Sequence, residues 1–349
     1  MEIRTYARAH WVALLGTVAF LAIGQQPAFA QGAGPETKAV IIASTVDPQN
    51  GGPWIVARER GLFAAEGLSE GQIQLFPSGP AAFPAFASGA LQGMTTSEQA
   101  MLTLAAGGVP LKLVAVFSDL TGVHGMVGSA EIKSAKDLEG RSIGLQKGSS
   151  AEWYTRNLCK VFGCDISKVK ILNMPPPEAV TALATGAIDA FAAWQPFLNR
   201  ALEAGKDKGA HWVHYSNVSY LAGAEGPKKI HNSYGVLYFA PAFLEKNPRT
   251  VEAVLRALDK SINFIKTNKA EAVKILATEL KQSEPDMDKL VTSIKYELAI
   301  SNDLVKDIQG AADILLGEKL IKEPMDVAKA VIAEAPLKNV KPAAMTFTR

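Results

Sequence analysis

One supersecondary unit occurs twice in this chain at a constant offset of 97 residues, and that repetition restricts the fold more than any other feature. Ile73-Gln74-Leu75-Phe76, Pro80 and Ala85-Phe86-Ala87-Ser88-Gly89-Ala90-Leu91 align with Lys170-Ile171-Leu172-Asn173, Pro177 and Ala182-Leu183-Ala184-Thr185-Gly186-Ala187-Ile188. In each copy a strand ends before a proline, a helix runs to a Ser/Thr-Gly pair, and a short apolar strand follows, with the glycine placed as a left-handed helix stop. A solenoid needs at least three adjacent copies. Two copies separated by other elements read instead as equivalent parts of two similar lobes.

The surrounding pattern is α/β. Strands are expected over residues 39–46, 72–76 and 111–118, with helices over 53–66 and 81–88 between them. Alternation of this kind builds parallel or mixed sheets covered by helices on both faces. A strand is expected at 234–239, followed by the apolar stripe Val251, Val254, Leu255, Leu258, Ile262 and Ile265 at helical spacing. Further helices are expected over 270–280, 287–300 and 304–316, so the last third is a helical buttress.

With 349 residues, 48% hydrophobic and 20% charged, the chain has material for about two domains with real cores. A net charge of +2, without clustered Lys/Arg runs, gives no nucleic-acid surface. Arg4 and Arg8, the apolar stretch Trp11 to Gly24 and Ala28-Phe29-Ala30 read as a signal peptide over residues 1–30. The product is then expected to be soluble and periplasmic. Cys159 and Cys164 can form a disulfide in an oxidising compartment if Gly163 breaks the helix between them; two half-buried thiols are the alternative.

Ligands in open α/β sheets bind beyond the carboxyl ends of strands, so the loops there are the informative segments. Five stand out: 47–54, 77–80, 95–98, 146–150 and 193–196. They are rich in small polar and aromatic residues and poor in general acids and bases. Gly148-Ser149-Ser150 opens a helix whose N-cap is Ser149 or Ser150, so free amides, hydroxyl donors and the helix dipole there favour a small anion. Ordinary capping is the plainer reading. Trp54, Trp153, Trp194 and Tyr234 fall near strand ends, where aromatics wall apolar pockets. Enzyme chemistry finds little support: no histidine sits in a nucleophile motif, His211 and His214 lack a third metal ligand, and Asp189 is expected to cap a backbone N–H. No catalytic residue, metal or cofactor is assigned.

Six segments together resemble the periplasmic solute-binding proteins of ABC importers for nitrate, sulfonate and taurine. They are Ala57-Arg58-Glu59-Arg60-Gly61-Leu62-Phe63, Ser78-Gly79-Pro80 with Ser88-Gly89, residues 132–141, Gly148-Ser149-Ser150, residues 182–190 ending Gly-x-x-Asp-Ala, and Trp194-Gln195-Pro196-Phe197. The resemblance implies a type II periplasmic-binding-protein fold, with two similar α/β lobes joined by two crossing strands and hinge closure on the ligand. Lobe one would span 36–123, lobe two 124–225, and 226–349 would return to lobe one with C-terminal helices packed on it. Crossings would fall near 120–127 and 221–234. By position, Ser78, Gly79 and Ser97 would serve from lobe one and Gly148, Ser149, Ser150 and Trp194 from lobe two. With Gln49, Trp54, Trp153 and Tyr234, these form the expected ligand site. Two departures are Gln92, where the other lobe has Asp189, and the long Gly/Pro-rich loop 47–54. The implied function is capture of a small organic anion by a monomeric receptor that delivers it to an inner-membrane ABC permease. Nitrate, an aromatic carboxylate or a neutral pyrimidine-like ligand are the alternatives, and a pyrimidine-precursor synthase-like enzyme is the remote one.

Overall fold

The computed structural model describes residues 34–349, which form one compact unit. The signal-peptide reading of residues 1–30 lies outside these described residues. Among them, no helix is long and apolar enough to cross a membrane.

Two sheets organise the chain. The first contains β1 (Ala39–Thr45), β2 (Glu70–Phe76), β3 (Gly93–Ser97) and β4 (Lys112–Asp119). The second contains β5 (His124–Gly128), β6 (Ser142–Leu145), β7 (Lys170–Asn173), β8 (Ala190–Trp194), β9 (His211–Tyr215), β10 (Val218–Ser219) and β11 (Gly226–Pro227). The chain then returns to the first sheet with β12 (Tyr234–Phe239) and β13 (Tyr296–Ala299). The strand orders are β13-β4-β12-β3-β1-β2 and β11-β10-β9-β5-β8-β6-β7.

The 97-residue repeat is geometric as well as sequential. In the first sheet β1 lies parallel between β2 and β3, with Ile42 opposite Ile73 and Gly93; in the second β6 lies parallel between β7 and β8, with Ile143 opposite Ile171 and Ala190. The helices Gly79–Ala87 and Pro176–Thr185 cross over between the matching strands. Gly89 and Gly186 have φ of 80° and 79°. This is the left-handed geometry that lets a helix end without a Cβ clash. Even the Gln92/Asp189 departure is chemically quiet. Gln92 Oε1 accepts from the Ile41 amide at 2.8 Å, and Asp189 Oδ2 accepts from the matching Ser142 amide at 2.8 Å.

Among the described residues, two segments join the sheets, residues 120–123 and residues 228–233. They are tied to each other: the Leu120 amide donates to the Ser233 carbonyl at 2.8 Å and the Ser233 amide to Thr121 Oγ1 at 3.2 Å. Paired crossings of this kind form a hinge.

Two local expectations need correction. The helix expected over 53–66 is broken: Gly52–Glu59 and Leu62–Ala65 are separate, because Gly61 takes φ 63°. The helix expected over 287–300 stops at Ser293, and Tyr296–Ala299 is an edge strand against β4. Tyr296 and Leu298 are buried while Glu297 is exposed, which is strand alternation rather than a helical stripe.

Cys159 and Cys164 form a disulfide across the end of the helix Ser150–Phe162, with Gly163 at φ 80° turning the chain back. The bridge closes a small loop, with a sequence separation of 5. Replacing both cysteines by serine is expected to lower unfolding free energy by about 2 kcal/mol on the chain-entropy account. Denaturant unfolding of the oxidised and double-serine proteins measures this; identical midpoints would show that the bridge adds nothing.

Candidate functional site

The site grows from the carboxyl ends of the strands. After β1 the chain winds tightly: the Asp47 amide donates to the Thr45 carbonyl at 2.8 Å, Gly51 to the Asp47 carbonyl at 3.0 Å, and Gly52 to the Pro48 carbonyl at 3.0 Å. The Tyr296 hydroxyl on β13 supports this loop from below, donating to the Pro48 carbonyl at 2.7 Å. The result sets Thr45, Gln49 and Asn50 on one wall of a cavity between the lobes. Gly79 and Pro80 open a helix on the same side, and Thr96, Ser97 and Ala100 come from the end of β3 and the helix Glu98–Ala106. Leu120 and Val123 from the first crossing and His124 at the start of β5 line it next, and Ser149, Ser150 and Trp194 line it from the second lobe.

The cavity is tight: the free space bounded by its lining comes to ≈ 330 Å³ with open solvent included. Among the described residues, no Lys, Arg, Asp or Glu lines it. Its polarity comes from hydroxyls, amides and the starts of the helices Gly79–Ala87, Glu98–Ala106 and Ser150–Phe162. The first amides of a helix have no partner within it, so three helix starts supply oriented donors and partial positive charge. The lobes already touch. Gln49 Nε2 donates to the Gln195 carbonyl at 2.9 Å, Ser78 Oγ to Gln146 Oε1 at 3.3 Å, and Arg200 to the Leu280 carbonyl at 2.9 Å.

Six of the eleven expected residues, Gln49, Gly79, Ser97, Ser149, Ser150 and Trp194, meet around this cavity. Ser97 and Trp194, separated by the repeat offset, face it from opposite lobes. The other five lie elsewhere. Trp54 is 0% exposed and packs between Phe63 and Phe117, because the inner face of its helix meets the core rather than the cleft. Ser78 is buried beside the lining, bound to Gln146. Gly148 and Trp153 line an adjoining groove with Gln99, Glu152 and Leu315, and the Gly148 amide is taken by the Glu152 carboxylate at 3.0 Å. Tyr234 turns away and donates to Asp307 at 2.6 Å.

The serine chemistry also differs from expectation. Ser149 is the N-cap and accepts from the Ala151 amide, but its own proton goes to the Gln146 carbonyl at 2.7 Å. Ser150 lies 2.7 Å from His124 Nε2, while His124 Nδ1 lies 2.9 Å from the Leu120 carbonyl. Neither hydroxyl is a free donor. His124 was missed at the sequence level because its partner is 26 residues away on another element, beyond the reach of any local motif. Asn50, Pro80 and Thr96, by contrast, lie in loops the sequence singles out.

Burial keeps His124 neutral, pushing its imidazole down to about 4. A serine hydrogen-bonded to a histidine is the arrangement of a nucleophile and its base. Here the imidazole is a weak base whose far nitrogen faces a carbonyl rather than a carboxylate, so the pair suits orientation better than proton abstraction. Behind the lining, Asp47 is fully buried with Oδ2 unpartnered, and burial lifts its carboxyl to about 6.

A two-lobed α/β protein with a cleft at the crossings, lined by hydroxyls, amides and helix starts, is the class this geometry defines. The chain belongs to the NMT1/THI5-like family, whose model matches residues 49–272. It is 26% identical over 292 residues to a Bacillus subtilis (strain 168) protein named "Putative aliphatic sulfonates-binding protein", covering 80% of this chain and 82% of the relative. Among solved structures, the alkanesulfonate-binding protein SsuA from Xanthomonas axonopodis pv. citri, bound to MOPS, is similar with TM-score 0.72 and 20% identity, covering 85% of this chain and 99% of that one. The periplasmic nitrate-binding protein NrtA from Synechocystis PCC 6803 is similar with TM-score 0.71 and 13% identity, covering 89% and 90%. The fold is therefore that of the periplasmic binding proteins.

Proposed function

We propose that this chain is the periplasmic solute-binding component of an ABC importer, taking a small organic anion of the sulfonate or taurine type into the interlobe cavity and presenting it to a membrane permease as a monomer. One observation carries the reading: three helix starts converge on a cavity between the lobes whose lining, among the described residues, holds no Lys, Arg, Asp or Glu. Oriented dipoles bind an anion without the desolvation cost of burying a lysine or arginine beside it. Of the expected site residues, Gly79, Ser97, Ser149, Ser150, Gln49 and Trp194 form the binding set. Ser97 Oγ accepts from the Ala100 amide at 3.3 Å, which leaves its proton for the guest. The family's sulfonate- and nitrate-binding relatives support the ligand class, and the weak basicity of His124 supports binding without turnover.

The test is a thermal-shift and calorimetric panel of alkanesulfonates, taurine, nitrate, aromatic carboxylates and a neutral pyrimidine. A sulfonate at 100 times its Kd is expected to add about 2.7 kcal/mol to stability. Stabilisation by the pyrimidine alone, or turnover of a bound compound, would overturn the reading.

A further inference from the structure

Two backbone carbonyls fix which way two cavity-lining side chains are polarised. A carbonyl only accepts, so the atom of His124 beside the Leu120 carbonyl, Nδ1, must carry hydrogen. A neutral imidazole then has no hydrogen on Nε2. The Ser150 hydroxyl, 2.7 Å away, must donate its proton there. Ser150 Oγ is left with lone pairs and nothing to give. The buried position of His124 and its lowered basicity exclude the doubly protonated ring that would reverse this.

Gln49 follows the same logic. Its side chain lies 2.9 Å from the Gln195 carbonyl, so the atom there is the amide nitrogen, and no flip of the amide is consistent with that contact. Gln49 Oε1 is therefore the other atom, and it has no protein partner although Gln49 is only 1% exposed. Both residues line the cavity, one from each lobe.

We propose that Gln49 and Ser150 act as hydrogen-bond acceptors toward the guest, so that this cleft selects a small organic anion that also carries an N–H or O–H donor. The inference rests on the anion reading above and narrows it. The anionic end meets the helix starts and the Ser97 hydroxyl, and the donor end satisfies Gln49 Oε1 and Ser150 Oγ. An anion without a donor leaves both acceptors buried and unpaired, a loss of about tenfold in affinity or more for each.

Calorimetry with ethanesulfonate, 2-hydroxyethanesulfonate and 2-aminoethanesulfonate tests it. The two donor-bearing anions are expected to bind at least about tenfold more tightly than ethanesulfonate, and Ser150→Ala is expected to shrink that ratio toward one. Equal binding of all three overturns the inference while leaving the anion reading intact. Binding of a neutral N–H-bearing pyrimidine with none of the anions instead overturns the anion reading and keeps the acceptor assignment. Independently of any ligand, nitrogen NMR of labelled protein is expected to show His124 as the Nδ1–H tautomer. An Nε2–H ring overturns the inference outright.

Discussion

Gly51→Ala is expected to lower the thermal midpoint by about 5 °C and to abolish stabilisation by any ligand of the cleft. The reason is space, not backbone freedom, since Gly51 has an ordinary helical φ of −75°. A Cβ there would run into the Thr45 carbonyl oxygen and lie 2.8 Å from that of Asp47. Neither neighbour is a flexible side-chain tip; both belong to the wound backbone that places Thr45, Gln49 and Asn50 on the cavity wall. Relief requires unwinding that loop, at a cost of about 3 kcal/mol. Gly310→Ala is the control: it sits inside the helix Asn302–Gly317 with nothing within 4 Å of an added Cβ, so it should stabilise by up to about 1 kcal/mol. Scanning calorimetry with and without ligand reads both, and a Gly51→Ala protein that melts and binds like its parent would contradict the loop geometry.

The second large effect concerns pH. Glu98 is buried against the hinge, where its carboxyl lies 2.7 Å from the Tyr234 amide and 3.2 Å from the Ser233 hydroxyl, with no cation among its hydrogen-bond partners. Burial lifts it to about 8. The folded protein thus retains a proton that the unfolded chain loses in the ordinary carboxylate range. Stability from this group is full below that range and falls as pH rises toward 8, by at most about 5 kcal/mol. Glu98→Gln keeps the shape and cannot ionise. Its advantage over the parent should therefore grow between pH 5.5 and pH 8.5 in chemical denaturation, and a constant difference would show that Glu98 ionises normally. His124 works in the opposite direction, since a depressed imidazole removes stability as pH falls from the usual histidine range toward about 4.

The duplicated architecture was legible because it is written locally. The strand, proline, helix and glycine of each copy are contiguous, and the observed β3 and β8 keep the 97-residue offset. Local spacing also misled. Met287, Leu290, Val291, Ile294 and Leu298 fit one helical face, yet the segment from Tyr296 pairs with β4, far away in sequence, and only that pairing makes it a strand. In the cleft, residues from loops at strand ends were found by position alone. Trp54 was not separable from them, since nothing in its own helix says which side meets the core. His124 depended on a contact between the start of β5 and the helix Ser150–Phe162, and hydroxyl polarity depended in turn on that contact.

The order in which the strands pair has a consequence for assembly. In the first sheet, the slot between β3 and β4 is filled by β12, which is made only after every strand of the second sheet. Until residue 239 has emerged, both edges of that slot expose unpaired amides and carbonyls, and the earlier half cannot lock on its own. β12 follows directly on the second crossing, so the hinge is formed in the same step that fills the slot, and β13 is added to the edge of β4 later. Such late completion keeps the first sheet open until the second has been made.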